Sequence, residues 1–200
     1  MTIYPRIRIA IIAVAAAVAL AVAPQVQAQD HAPKAKAWAE KTLKGWMQDA
    51  IVVEAVKAQN AKHAGLTQDK IDALDKQWRA ETKGGSKPLI DSVVGNALSV
   101  WLKKREAESK GLVTEIFVMD DKGLNVGQSD VTSDYWQGDE AKWQKTYSVG
   151  PGAVFVDKVD QDESTQKFQT QVSMTVVDPA SGKAIGAVTV GLDVELLMEM

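Results

Sequence analysis

The chain has 200 residues, of which 46% are hydrophobic, and its formal net charge is −3. This length and composition are ordinary for one globular domain. A mildly acidic chain offers no basic surface for nucleic acid, so we expect no nucleic-acid partner. There is no cysteine, and His31 and His63 are the only histidines. Disulfides, thiolate metal sites and thiol nucleophiles are therefore excluded, and we expect no metal and no cofactor.

Residues 1–28 have the three parts of a secretory signal peptide. Arg6 and Arg8 form a short basic start, residues 9–23 are almost entirely apolar, and Val26-Gln27-Ala28 offers small residues to a peptidase. The alternative is an uncleaved membrane anchor, but the apolar run is shorter than the roughly 20 residues that a span needs. We expect cleavage after Ala28 and a periplasmic protein without a membrane span.

Residues 29–110 have the periodicity of helices. Apolar residues three and four positions apart predict a first helix over 33–63, a second beginning near Thr67, and a third that begins at Pro88. The apolar stripe of the third helix consists of Ile90, Val94, Ala97 and Trp101, with Leu98 beside it. We interpret this half as the N-terminal helical segment of the same domain as the rest of the chain.

Residues 111–200 have the pattern of strands. Five strands are predicted, over 112–119, 124–128, 153–159, 168–176 and 184–194. A short helix is expected over 139–147, in the connection between the second and third strands. Helices followed by antiparallel strands make an α+β domain.

This order of elements resembles the PAS-like sensor fold in its extracytoplasmic form, the Cache or PDC domain. Four stretches carry the resemblance: IFVMDDKG (116–123), SDYWQGDEAKW (133–143), DEST (162–165) and IGAVTVGLD (185–193). The resemblance implies a five-stranded antiparallel sheet in the order 2-1-5-4-3, with long N-terminal helices packed on one face. It also implies that ligands bind between the other face and the segment that joins strands 2 and 3.

That segment concentrates aromatic and acidic side chains, Asp134, Tyr135, Trp136, Trp143 and Tyr147. Rigid aromatic walls beside a few polar groups are what a small-molecule pocket requires. The alternative is that the aromatic residues only seal the edge of the sheet, since buried aromatics usually serve packing. Both interpretations stay open at this point.

Asp193 lies near the end of the last strand. In amino-acid-sensing Cache domains an aspartate in this position holds the ligand amine, and an arginine before a Trp-Tyr pair grips the carboxylate. Asp193 matches the aspartate, but the arginine and the paired tyrosine are absent, and Lys142 and Gln144 flank Trp143 instead. Asp193 is equally well explained as a cap that bonds nearby backbone.

The resemblance and the aromatic segment together predict the ligand-binding residues Asp134, Tyr135, Trp136, Trp143, Tyr147, Phe155 and Asp193. We expect Trp143 and Asp193 to meet across one pocket that holds a small polar metabolite. The acids at 120–121 and 160–163 lack the spacing of a calcium loop and are interpreted as turn residues. His63 has no visible catalytic partner, and nothing in the sequence brings paired acids such as Asp134 and Asp193 together, so we expect no enzymatic activity.

The leading hypothesis is a periplasmic small-molecule binding or sensing module without an output domain. Only six residues follow Val194, so we expect no output domain and expect the module to act through a membrane receptor or a sensor kinase. The alternative is a structural or protein-interaction module of the cell envelope with a vestigial pocket. In either case the N-terminal helix is a candidate homodimer contact.

Overall fold

The computed structural model describes residues 31–161 and 167–200. Within this part of the chain, helices precede one antiparallel sheet of order β2-β1-β5-β4-β3. The strands are β1 (Val113–Met119), β2 (Asn125–Gln128), β3 (Val154–Gln161), β4 (Phe168–Val177) and β5 (Ala184–Asp193). The α+β class and the strand order implied by the resemblance are confirmed. The predicted signal peptide and the stretch 162–165 lie outside the described residues.

The single helix predicted over 33–63 is interrupted. The structure has α1 (His31–Trp38), a π-helical turn (Ala39–Leu43), α2 (Lys44–Trp46) and then, after a turn, α3 (Ala50–His63). Asp49 has an extended backbone, and its side chain accepts a hydrogen bond of 3.2 Å from the Ile51 N–H. The apolar spacing continues across this point, but an aspartate that caps a new first turn ends the old helix.

The second helix begins where the sequence predicts. Thr67 occupies the N-cap position in an extended conformation, and α4 follows it (Gln68–Glu81). The third predicted helix is two helices, α5 (Pro88–Val94) and α6 (Ala97–Glu108). Asn96 starts the second of these, because its side chain accepts a hydrogen bond of 2.8 Å from the Ser99 N–H.

The break between α5 and α6 changes which side chains are buried. The predicted stripe is wrong at Ala97, which is exposed, whereas Val94 and Trp101 are half-buried and pack against the core. The buried apolar residues of the two helices are Ile90, Val93, Leu98 and Leu102. Because α6 begins at a new cap, its buried face does not continue that of α5. The apolar spacing in the sequence runs through the break and therefore does not reveal this change.

The main core lies on one face of the sheet, called the helix face below. Val118, Val188 and Leu192 alternate onto this face and are fully buried with Leu43 of the π-helical turn and Leu102 of α6. Burial of one such aliphatic side chain contributes about 1.5–3 kcal/mol. The helix face therefore fixes the sheet against the N-terminal helices.

The opposite face, called the polar face below, is partly covered by α7 (Ala141–Gln144), which is shorter than the helix predicted over 139–147. An additional short helix, α8 (Val194–Met198), follows β5 directly and was not predicted. None of the helices in residues 31–161 and 167–200 is long and apolar enough to cross a membrane.

Candidate functional site

The polar face presents hydrogen-bonding side chains that are nevertheless buried. Thr189 of β5 and Ser173 of β4 are opposite each other in the sheet, and both are fully buried. Their hydroxyl oxygens are 2.9 Å apart. Further along, the Gln171 amide donates to the Glu115 carboxylate at 2.8 Å. The alternation of β-strand side chains puts these groups, with Phe117, on one surface.

Trp143 and Tyr147 cover one end of this surface. Their rings are 5.0 Å apart and tilted by 31°, and they pack against Phe117, Met119 and Ala187. The Trp143 indole N–H donates to the Asp120 carbonyl at 3.2 Å, which ties α7 to the β1–β2 turn. The two rings therefore form an aromatic wall above the strands.

Lys142, and not Gln144, is the neighbour of Trp143 that faces the sheet. Its ammonium nitrogen is 5.3 Å from the centre of the Phe117 ring. It also lies 2.9 Å from the Glu140 carboxylate and donates to the Gln137 amide oxygen at 3.3 Å. The Lys142 side chain is only 14% exposed, whereas Gln144 bonds the Gly138 carbonyl at an exposed position. The site thus has a largely buried cation where the resemblance implies an arginine.

A buried amide network extends from Lys142 to β2. Gln137 donates to the Asp134 side chain at 2.6 Å, and the Asn125 amide donates to the Asp134 carbonyl at 3.3 Å and to the Gln128 amide oxygen at 3.0 Å. Asn125 and Gln128 are both fully buried. Within the described residues, Asn125 Oδ1 and Gln128 Nε2 have no hydrogen-bond partner. An unpaired buried acceptor and an unpaired buried donor cost stability unless something else bonds them.

Tyr135 and Trp136 belong to a different part of the molecule. Their backbone N–H groups donate to one oxygen of Asp75 on α4, at 2.8 and 3.1 Å. The Tyr135 ring stacks on Trp78 with centroids 5.3 Å apart, and the Trp136 indole donates to the Lys122 carbonyl at 2.8 Å. The structure therefore does not bring these two rings onto the polar face with Trp143.

Asp134 links the two regions. Its Oδ1 accepts from Gln137 in the amide network, and its Oδ2 accepts from Arg79 of α4 at 2.9 Å.

Phe155 lies opposite Ser173 in the register of β3 and β4. The Lys145 ammonium is 4.4 Å from the centre of the Phe155 ring, at the margin of the polar face.

Asp193 occupies the far end of the polar face. One carboxylate oxygen caps α8 by accepting from the Leu196 N–H at 3.1 Å, and the other is 2.9 Å from the Lys167 ammonium. Burial acts to raise the pKa of Asp193, but the hydrogen bonds from Lys167 and from the α8 backbone outweigh it, and the pKa is lowered. The capping interpretation is thus observed directly.

Trp143 and Asp193 are not adjacent. Ala187, which Trp143 helps to cover, is six residues before Asp193 on β5, which corresponds to about 20 Å along a strand. A pocket that both side chains line would have to extend along β5 over this length. Their roles in binding stay predictions.

Sequence reasoning missed three features of this region. It did not identify the buried Asn125 and Gln128, because β2 is too short for alternation to show which side chains face inward. It left the orientations of Lys142 and Gln144 open, because the turn of α7 decides them. It also gave His63 no partner, whereas the ring nitrogen Nδ1 is 2.8 Å from Asp120, a residue 57 positions away.

No family model and no curated protein matches this chain. Several solved structures are similar to it. The sensor domain of the Vibrio cholerae histidine kinase DctB has 12% identity and a TM-score of 0.45, over 88% of this chain and 56% of that one. The ligand-binding domain of the Pseudomonas aeruginosa chemoreceptor PctC, in complex with GABA, has 12% identity and a TM-score of 0.42, over 84% and 60%.

The ligand-binding domain of the Campylobacter jejuni chemoreceptor Tlp3, in complex with 4-methylisoleucine, has 12% identity and a TM-score of 0.40, over 84% of this chain and 62% of that one. The chain therefore spans about three fifths of the length of these solved domains. All three are sensory or ligand-binding domains.

Proposed function

We propose that this protein binds a small polar metabolite on the polar face of its sheet and acts through a partner protein, without catalytic activity of its own. The observation that carries the proposal is the pair of buried, unpartnered atoms Asn125 Oδ1 and Gln128 Nε2. A ligand that accepts from Gln128 and donates to Asn125 would satisfy both atoms, and the same hydrogen bonds would hold the ligand.

The charges around the polar face favour a ligand that carries both an acceptor and a donor group. Lys142 supplies a cation that is largely shielded from solvent at one end, and Glu115 supplies a carboxylate further along the same strand surface. Charge-assisted hydrogen bonds are the stronger ones, so a carboxylate near Lys142 and an amine or hydroxyl towards Glu115 fit this arrangement. Phe117 and Trp143 provide the flat apolar walls between them.

Thermal unfolding in the presence of amino acids, hydroxy acids, carboxylates and amines tests this proposal. A true ligand at 100 times its Kd stabilises the folded state by about 2.7 kcal/mol. Lys142→Gln should weaken a carboxylate ligand, while Gln144→Ala on the same helix is the matched control and should bind like the parent. Equal binding by all three proteins would contradict the role of Lys142.

The competing candidate is a structural or interaction module with a vestigial pocket. It is favoured by the internal pairing of the polar face, where Ser173 bonds Thr189, Gln171 bonds Glu115 and Asp193 bonds Lys167. The same thermal measurement separates the two candidates. A binder is stabilised by at least one compound of the library, whereas a vestigial pocket responds to none.

The proposed location is the periplasm, after removal of residues 1–28. Support comes from the order of a basic start, an apolar stretch and a small-residue site in the sequence. The intact mass of protein from a periplasmic extract tests it, since cleavage after Ala28 leaves Gln29 as the first residue. A mass that includes residues 1–28 would contradict cleavage.

A further inference from the structure

A second cleft lies at the β2 edge of the sheet, between α3, α4 and α5. Its volume is about 380 Å³, which is within the range of small-molecule pockets. Leu66, Leu74 and Leu89 are among its apolar walls, and His63 and Tyr135 line it as well. It is separate from the polar face, because Tyr135 packs with Trp78 and the side chains of α4 and α5.

His63 is held in one orientation by Asp120. The carboxylate of Asp120 is fully buried and accepts from the Lys122 and Leu124 N–H groups through Oδ1, and from Gln59 and His63 through Oδ2. Because Asp120 only accepts, the proton of the His63 ring lies on Nδ1. In the neutral ring, Nε2 is then a hydrogen-bond acceptor.

Two polar atoms of the cleft are left without partners. Within residues 31–161 and 167–200, the His63 ring has a hydrogen bond at Nδ1 but none at Nε2, and the Tyr135 hydroxyl has none. His63 is 6% exposed and Tyr135 is 3% exposed, so both side chains are more than nine-tenths buried at the cleft wall. These two atoms are therefore free to bond a molecule that occupies the cleft, and an occupant that pairs with both gains two hydrogen bonds.

The surrounding charges select the type of occupant. Burial, and then the charge of Asp120, raise the pKa of Tyr135, so the negative charge of Asp120 acts at the polar end of the cleft and disfavours an anion there. Lys62 lies on the lining as an exposed cation and disfavours a positively charged molecule. An uncharged molecule meets neither penalty.

We propose that this cleft is a second binding site, for a small uncharged molecule that carries one hydroxyl group on an apolar body, such as a phenol or a branched alcohol. The ligand hydroxyl donates to Nε2 of His63 and accepts from the hydroxyl of Tyr135. The apolar body lies against the leucine walls.

The probe for this site is 4-methylphenol, titrated into the isotopically labelled protein and followed by NMR. Toluene lacks the hydroxyl, and benzoate and benzylamine carry charge. We expect 4-methylphenol to bind more tightly than all three and to shift the indole N–H signal of Trp78, which stacks on Tyr135. Toluene binding as tightly as 4-methylphenol, or a charged compound binding best, would overturn the proposal.

Tyr135→Phe is the decisive variant, because it retains the ring and its stack on Trp78 and removes only the hydroxyl. It should weaken 4-methylphenol about tenfold and leave toluene unchanged. His63→Asn retains a donor towards Asp120 and removes Nε2, and it should have a similar effect. Gln144→Ala, at an exposed position on α7, is the control and should not alter binding. Unchanged affinity in Tyr135→Phe would overturn the proposal even if His63→Asn does not fold.

Discussion

On β5, neighbouring side chains are equally buried but stabilise the protein in different ways. Val188 and Val190 point to the helix face and are surrounded by aliphatic side chains, whereas Thr189 between them points to the polar face and bonds Ser173. All three are fully buried. The helix face is stabilised by the burial of apolar area, whereas the stability of the polar face depends on a hydrogen-bond partner for each buried polar atom. A face of the second kind gains when a ligand completes its hydrogen bonds, and this is why we place the proposed site there.

The largest expected effect comes from the helix face. Ile116 is fully buried in the main core, so Ile116→Ala should lower the free energy of unfolding by about 2–5 kcal/mol through lost burial and a cavity. Urea unfolding measures it. Val100, which is 61% exposed on α6, is the control, and Val100→Ala should change stability by less than about 0.5 kcal/mol. Similar effects at both positions would show that the helix face is not the main source of stability.

The difference between the helix face and the polar face also explains which features of the fold the sequence could predict. Apolar residues alternate along β4, which predicts that Phe168, Val172, Met174 and Val176 share one side. The last three are buried on the helix face, whereas Phe168, at the start of the strand, is exposed. That regularity, with the family resemblance, was sufficient for the sheet order. The helix breaks at Asp49 and Asn96 were missed, because apolar spacing continues through residues that also cap helices.

The site was harder to predict because its geometry depends on contacts between distant residues. Trp143 and Tyr147 are only four positions apart in the sequence, so the contact between their rings depends on local structure. The distance between Trp143 and Asp193, and the pairing of His63 with Asp120, follow from strand register and helix packing instead. Neither leaves a periodic signal in the sequence.

A smaller effect is expected from the polar face. Thr189→Val preserves the shape of the side chain but leaves the buried Ser173 hydroxyl without its partner at 2.9 Å, so it should cost about 1–3 kcal/mol. Adding Ser173→Ala removes the stranded hydroxyl. The double variant should therefore be less destabilised than the sum of the single variants, in a double-mutant cycle measured by urea unfolding. Strict additivity would show that the two hydroxyls do not interact.

The smallest effect is expected at Asp193, where the two faces of the sheet end at α8. Asparagine caps a helix about as well as aspartate, so Asp193→Asn retains the bond to the Leu196 N–H and removes only the charge that pairs with Lys167. Because the Lys167 side chain is 50% exposed, solvent screening limits the loss to about 0.5–1 kcal/mol at pH 7. Asp193→Ala removes the cap as well and should cost about 1 kcal/mol more.

The pH dependence of the stability difference between the parent and Asp193→Asn shows whether the charge of the carboxylate causes it. The pKa of Asp193 is lower in the folded protein than its ordinary value, so the carboxylate contributes stability that is fully present above the unfolded pKa of about 3.9. That contribution is lost as the pH falls through the folded pKa, when the group becomes protonated in both states. Parent and Asp193→Asn should therefore differ at pH 7 and converge below about pH 4 in urea unfolding. A difference that stays constant down to pH 2 would show that Asp193 acts through packing, and that the charge pair with Lys167 contributes nothing to the end of the polar face.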